Sequence, residues 1–322
     1  MSLLVLSEDE LLGLLPPLEI VGAVEEALRA QRHGIASMPQ RLHVDDGDKT
    51  LLVMPATTDG HFGVKLVSVV PGNASRSLPV TNGVMVLLDG ETGMPVAALN
   101  AAALTAQRTG AVGGLGVKYS TPPSTSSVGI VGCGVQGAWQ AIFACALRPI
   151  RNVYCTSRSA SSTERFAATV LRYAPDVKVT RCDDVRELLR LTDLVITATN
   201  SSQPVLPDDS ALLDRKHFIS VGSYRPTMQE LPDSVYRLAG ELAVDSPHAM
   251  QEVGDVINPL QRGLLTQANV FSIADCVCGQ RQFRTEATTV YKSVGAAIYD
   301  LYVARQLYFA AKSRGLGQEV RL

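Results

Sequence analysis

Apolar positions recur along this chain in two rhythms, and the change between them falls near Ser120. Before it, short hydrophobic runs are separated by turn residues. Leu3–Leu6 reads as a strand, and Ser7 with Glu10 has capping-box spacing, opening a helix that stops at Pro16-Pro17. Apolar residues at helical spacing predict a longer helix from about Leu18 to His33, with Gly34 as its C-terminal cap. Five β segments follow, Arg41–Val44, Thr50–Ala56, Gly63–Val70, Val84–Asp89 and Pro95–Asn100, with Asp-Gly pairs at 46–47, 59–60 and 89–90. That spacing predicts an antiparallel meander. A helix from about Ala101 to Gly114 closes this part.

After the Pro- and Ser-rich crossing Thr121–Ser127, strands and helices alternate. Strands are predicted at Val128–Val131, Val153–Thr156, Val177–Thr180, Leu194–Thr197, near Phe218–Val221 and at Leu242–Val244. Helices are predicted at Val135–Leu147, Thr163–Tyr173 and Asp184–Leu191, with a last one over about Glu286–Ala311. Alternation of this kind is the sequence form of a doubly wound parallel sheet.

Gly132-Cys-Gly134-Val-Gln-Gly137 sits between the first of these strands and the first of these helices. Alone the pattern GxGxxG is weak; in this context it is the fingerprint of a Rossmann dinucleotide site. Gly132 permits the tight turn, Gly134 lets a pyrophosphate reach the backbone, and Gly137 lets helix and strand close up. Unused N–H groups at Val135 and Gln136 then face the phosphates at the positive helix end. The second strand would carry an acid at its end to hold the ribose hydroxyls of NAD. Here the residues are Thr156-Ser157-Arg158-Ser159. A cation flanked by hydroxyls suits a 2′-phosphate, so NADPH is the expected cofactor, with NADH possible.

Composition narrows the alternatives. Charged residues make up 19% of the chain, the net charge is −2, and no stretch concentrates Lys and Arg, so neither nucleic acid nor membrane is an expected partner. The apolar runs Leu51–Ala56 and Val84–Leu88 are too short to span a bilayer, and Met1–Glu8 lacks the regions of a signal peptide. The expected location is cytoplasmic. Six cysteines lie mostly in apolar patterns and read as structural thiols, and five scattered histidines form no metal motif. No metal site is expected.

Several stretches together resemble the ornithine cyclodeaminase/mu-crystallin family over nearly the whole chain. They are Met38-Pro-Gln-Arg41, Gly63-Val-Lys65 through Pro71-Gly-Asn73, Leu104-Thr-Ala-Gln-Arg108-Thr-Gly-Ala, the glycine fingerprint, Thr197-Ala-Thr199-Asn-Ser and Tyr291-Lys-Ser-Val-Gly295. The resemblance implies an α/β fold in which a Rossmann domain is joined to an N-terminal α/β domain that binds substrate and pairs into a homodimer. Residues 1–119, with 290–322 packing back, are then the substrate and dimerisation domain, and 120–289 the dinucleotide domain. It further implies that Arg41, Lys65 and Arg108 hold a substrate carboxylate, with Lys65 also a candidate proton donor. A bidentate Arg fixes a carboxylate's orientation and Lys adds a compact charge; few acids stand near these cations in sequence. Asn82 and Thr109 are placed close to substrate or nicotinamide. Ala198, Thr199, Val221, Gly222, Ser223 and Gly295 are placed around the cofactor.

One departure bears on the reaction. Family cyclodeaminases carry an aspartate in the loop after Val221-Gly222, where this chain has Ser223-Tyr224-Arg225-Pro226. Cyclodeamination moves protons at several steps, and a phenol ionising near ~10 is a poor substitute for a carboxylate. The loop looks more like that of members reducing Δ1-pyrroline-2-carboxylate or Δ1-piperideine-2-carboxylate, which need mainly positioning of a preformed ring imine. Ornithine cyclodeamination, an alanine-dehydrogenase-like amination and a crystallin-like ligand-binding role without turnover are the alternatives.

Overall fold

The computed structural model describes residues 2–321. In chain order, β1 (Ser2–Leu6), α1 (Glu8–Leu11), α2 (Pro17–Arg32), β2 (Leu42–Asp46), β3 (Lys49–Thr58), β4 (His61–Val69), β5 (Thr81–Asp89) and β6 (Pro95–Asn100) lead into the long helix α3 (Ala101–Ser120). Alternation then begins with β7 (Ser127–Val131), α4 (Val135–Leu147), β8 (Asn152–Thr156), α5 (Ala160–Tyr173), β9 (Lys178–Arg181), α6 (Val185–Leu191), β10 (Leu194–Thr197), α7 (Ser210–Leu213) and β11 (His217–Ser220). It continues through α8 (Asp233–Ala239), β12 (Leu242–Val244), α9 (Ala249–Glu252), α10 (Gly254–Gln261), β13 (Val270–Ser272), α11 (Ile273–Val277) and β14 (Thr289–Lys292). The chain ends with α12 (Ala297–Ser313) and β15 (Gln318–Arg321). Two compact units result, one of residues up to Arg108 together with those from Ala296 onward, the other Thr109–Gly295.

The first unit is built on a seven-stranded sheet in the order β15-β1-β6-β5-β4-β3-β2. Its meander is antiparallel throughout, and only the β1–β6 pair is parallel. Helices α2 and α12 pack together, and α12 lies against β3, β4 and β5. Burial alternates along β4 and β5 as a half-buried sheet requires. Gly63 lies under this close packing: a Cβ there would meet the Met85 methyl at 2.6 Å and Leu301 Cδ1 at 2.8 Å, and those side-chain ends would have to shift. At the other end of the sheet, β2 is exposed along its whole length, with Leu42 and Val44 turned outward.

The second unit holds an eight-stranded, wholly parallel sheet ordered β13-β12-β14-β11-β10-β7-β8-β9. From β9 to β11 this is the 3-2-1-4-5 order of a Rossmann fold; the sixth place is taken by β14, the last strand of this unit, with β12 and β13 beyond it. Strands β10, β11 and β14 are buried at every residue, as parallel strands covered on both faces must be. The expected fold class, α/β with a doubly wound sheet in one unit and an N-terminal α/β unit, is the one observed. Among the described residues no helix is long and apolar enough to cross a membrane.

Three expectations need correction. The helix expected over 286–311 is two elements, β14 and then α12. The β-branched and aromatic run Thr289-Val290-Tyr291 completes the buried sheet, and Gly295, at φ 76°, turns the chain before the helix starts. Second, α3 does not stop at Gly114 but runs to Ser120. Its glycines are close-approach points: Gly110 faces the Phe143 ring, Gly113 the Gln140 amide and Gly116 the Tyr291 ring. Third, the helix expected from Ser7 to Pro16 is a single turn, Glu8–Leu11.

Candidate active site

A lysine stands on the buried face of β4. Lys65 is paired across the sheet with Met54 and Met85 and is 2% exposed, so its ammonium needs partners inside the protein. They come from helices. Nζ donates to Asp300 Oδ1 of α12 at 2.8 Å and to Thr105 Oγ1 of α3 at 3.4 Å. Arg108 Nε lies 2.9 Å from the same Asp300 oxygen, with its N–H not aimed along that line, so this pair is Coulombic. Asp300 Oδ2 is buried and accepts no hydrogen bond. Two buried cations therefore share one oxygen of one carboxylate. Burial, with Arg108 and then Arg41 nearby, pushes Lys65 down to about 8, against the pull of Asp300.

The sequence reading brought Arg41, Lys65 and Arg108 together, and the first unit does gather them. It missed Asp300, which arrives from the far end of the chain. The signal was an acid in an otherwise apolar helix turn, Ile298-Tyr299-Asp300-Leu301, hidden by reading the whole stretch as one helix. Asn82 lies in the exposed first residues of β5, where its amide donates to the Pro79 carbonyl at 2.8 Å.

In the second unit the glycine fingerprint has the shape a dinucleotide requires. Gly132 follows β7 with φ 105°, and a Cβ there would meet the Ala198 carbonyl oxygen at 2.5 Å. Gly137 packs so closely on the Gly132 carbonyl that no side chain fits. Gly134 is the N-cap of α4, and the space where its Cβ would stand is open. Val135 is exposed, and the first-turn N–H groups of Val135 and Gln136 have no intrahelical acceptor. Gln136 also keeps a buried Oε1 without a partner. These residues fit a pyrophosphate at the positive end of α4. At the end of β8, Ser157 is half-buried and Arg158 exposed, while the Ser159 hydroxyl accepts from Ser162 N and caps α5.

The loops after β10 and β11 are tied by a buried carboxylate. Glu230 Oε1 accepts from the Thr199 N–H at 2.6 Å and the Thr199 hydroxyl at 2.7 Å. Its Oε2 accepts from Gly222 N–H at 2.7 Å, Ser223 N–H at 3.3 Å and the Ser220 hydroxyl at 3.0 Å. A second carboxylate, Asp255, takes the Ser223 hydroxyl at 2.6 Å, the Tyr236 hydroxyl and the backbone N–H groups of Glu230 and Leu231. Lys292 Nζ, buried and pushed downward by desolvation, donates to the Ser220 carbonyl at 3.3 Å. Thus Ala198, Thr199, Val221, Gly222 and Ser223 do form one ledge at the carboxyl ends of the central strands, the crevice where Rossmann folds bind ligands. Glu230 and Asp255 went unnoticed in the sequence because they lie in irregular and short helical segments.

Thr109, on α3, is buried with its hydroxyl unpartnered, and its carbonyl accepts from Gln140 at 2.9 Å. Gly295 N–H donates to Asp245 at 2.7 Å, beside Val294 N–H and the Ser293 hydroxyl. Burial pushes Asp245 upward against these bonds.

Residues 4–315 match the ornithine cyclodeaminase/mu-crystallin family. The chain belongs to that family. It is 32% identical to Δ1-pyrroline-2-carboxylate reductase of Bacillus cereus over 330 aligned positions, covering 99% of each chain. Its fold is similar to that of Thermococcus litoralis Δ1-pyrroline-2-carboxylate reductase, a structure in complex with NADH and L-proline: TM-score 0.91, 29% identity, 99% of this chain and 100% of that one. An archaeal alanine dehydrogenase dimer with bound NAD is similar over the full length of both chains, with TM-score 0.90 and 28% identity.

Proposed function

We propose that this protein is an NAD(P)H-dependent oxidoreductase acting on a C=N bond, the reductase of a small cyclic ketimine carboxylate. Δ1-Pyrroline-2-carboxylate and Δ1-piperideine-2-carboxylate are the proposed substrates, proline and pipecolate the products. One observation carries the reading: a buried cluster in which Lys65 and Arg108 share a single oxygen of Asp300, leaving positive charge for a substrate carboxylate. The activities named for the similar reductases, and the proline bound in one of them, agree with such a ligand.

When bound, the reduced nicotinamide supplies the hydride. The chain's own residues do the rest. Arg108 and Arg41 fix the carboxylate and so the orientation of the ring. Lys65 completes the anion site and carries a proton at Nζ for the ring nitrogen. Gly132, Gly134, Val135, Gln136 and Gly137 hold the pyrophosphate, and Ser157, Arg158 and Ser159 receive the adenosine ribose with its 2′-phosphate. Thr109, Ala198, Thr199, Val221, Gly222, Ser223 and Gly295 surround the remainder of the cofactor, and Asn82 borders the substrate. The first unit, proposed to hold the substrate, is also the proposed dimer-forming one; it carries exposed apolar residues such as Leu42 and Val44, and the similar alanine dehydrogenase is a dimer. The cytoplasm is the proposed location.

An alanine-dehydrogenase-like amination of a 2-oxo acid is the second reading, favoured by the likeness to the archaeal enzyme. Both readings use the same carboxylate clamp. Purified protein, NADPH and each candidate are mixed and the nicotinamide absorbance followed. Fast oxidation with either ring imine is expected, and slow oxidation with pyruvate plus ammonia. The reverse ranking, or release of ammonia from L-ornithine with NAD⁺, overturns the proposal.

A further inference from the structure

We propose that the Lys65–Asp300 pair couples carboxylate binding to proton uptake, with Asp300 as the positioning residue that holds Nζ in the anion site. This rests on the carboxylate clamp of the proposed function and adds to it a linkage between ligand and proton.

The geometry is one of deliberate shortage. Lys65 and Arg108 are both buried, yet among the described residues a single carboxylate oxygen, Asp300 Oδ1, is the anionic partner of both, while Oδ2 has no donor. The groups facing Lys65 come from three directions: Asp300 on α12, Arg108 and Thr105 on α3, and Arg41 from the segment before β2. Its sheet neighbours, Met54 and Met85, carry no charge. Two arginines and desolvation work against the ammonium, and one carboxylate supports it. The proton on Nζ is accordingly held loosely, with half-loss at about 8.

A ligand carboxylate changes that balance. Placed against Arg108 and Lys65, it supplies the missing negative charge and favours the ammonium form. Binding and protonation are then linked, so the ligand must draw in a proton wherever the free site is partly deprotonated. Lys65 would thus carry its proton whenever substrate is seated, even in mildly alkaline solution. Atoms balance simply: one proton leaves bulk buffer and joins the Nζ lone pair. Asp300 keeps the linkage near neutral pH, because without it the free lysine would lose its proton at lower pH still.

Isothermal titration calorimetry tests this without turnover. Pyrrole-2-carboxylate, a flat ring carboxylate already ionised at these pH values, is titrated into protein saturated with NADP⁺. Buffers of different ionisation enthalpy report the protons exchanged. At pH 8.5 we expect uptake of roughly three-quarters of a proton per site, vanishing by pH 6.5, where Lys65 is already charged. Lys65→Arg, whose guanidinium does not titrate, should bind the ligand with no uptake. Asp300→Asn should move the uptake window to lower pH, a change that mere loosening of the fold would not produce. Zero uptake in the wild type at pH 8.5, or uptake unchanged in Lys65→Arg, overturns the inference. Failure of the ligand to bind at millimolar concentration overturns the clamp and the inference together. Uptake as expected in a protein that reduces no ring imine would sink the proposed function alone.

Discussion

Lys65 Nζ and Asp300 Oδ1 lie 2.8 Å apart, both side chains almost wholly shielded from water, although 235 residues separate them in sequence. Gly63 eases the close packing of α12 on the sheet, since a Cβ there would displace the ends of the Met85 and Leu301 side chains. A buried pair of this kind adds little net stability, because both charges give up their hydration. The pair places a titratable cation beside Arg108 at a fixed point.

The first prediction follows from the depressed lysine. Lys65 titrates at about 8 in the folded protein against an ordinary 10.5. Between these values the unfolded chain binds the proton and the folded one has shed it, so stability from this group rises with pH. Below about 8 both states are charged and the folded state bears the full penalty. At about 1.4 kcal/mol per unit the span is roughly 3 kcal/mol. Urea unfolding of wild type and Lys65→Met, compared from pH 7.5 to 10, should show the wild type gaining on the variant by most of that amount. A constant difference would contradict it.

Much of this architecture was legible in the residues. The alternating rhythm predicted α4 to the residue, because an apolar stripe, a glycine N-cap and the strand before it all agree. Arg41, Lys65 and Arg108 were legible through their flanking motifs. Asp300 was not, since burial of an acid in an apolar helix depends on partners that only the fold brings near. Nor was β14, four residues long and buried on both faces, where periodicity cannot separate strand from helix. Glu230 was missed for a related reason: its acceptors gather N–H groups from two loops, and no local spacing encodes that.

A second prediction concerns Arg158. It is exposed at the end of β8, and no described acid pairs with it. Arg158→Ala should weaken NADPH binding by about 1.5–3 kcal/mol, the range for hydrogen bonds to charged groups. NADH binding should change little. Fluorescence titration with both cofactors checks this, and equal losses would mean that Arg158 does not read the 2′-phosphate.

Glu230 carries the third. Its two oxygens accept five hydrogen bonds, from Thr199, Ser220, Gly222 and Ser223. In Glu230→Gln one oxygen becomes an NH2 facing other donors, and buried unsatisfied donors cost about 1–3 kcal/mol. The ledge should loosen, raising the Kd for NADH and NADPH alike by about tenfold or more. An unchanged Kd for both would show that the ledge does not depend on this carboxylate.

The last prediction turns on which atom the clamp presents. If Arg41, Lys65 and Arg108 seat the carboxylate, the carbon bearing it must also be the carbon that is reduced. Δ1-Pyrroline-2-carboxylate meets that condition. Its isomer Δ1-pyrroline-5-carboxylate does not, because its imine carbon lies across the ring nitrogen from the carbon bearing the carboxylate. The isomer should therefore bind, through the same anion, and not be turned over. Arg108→Ala and Arg41→Ala should each lower kcat/KM for the 2-carboxylate by about 100-fold or more, as misplacement by about 1 Å can do. NADPH affinity should hold in both variants, since neither residue belongs to the glycine-rich turn or the Glu230 ledge. Steady-state kinetics with the two isomers, alongside cofactor titration of the variants, supplies the measurement. Efficient reduction of the 5-carboxylate would mean that the carboxylate is held elsewhere, and the cluster of Lys65, Arg108 and Asp300 would then need another ligand.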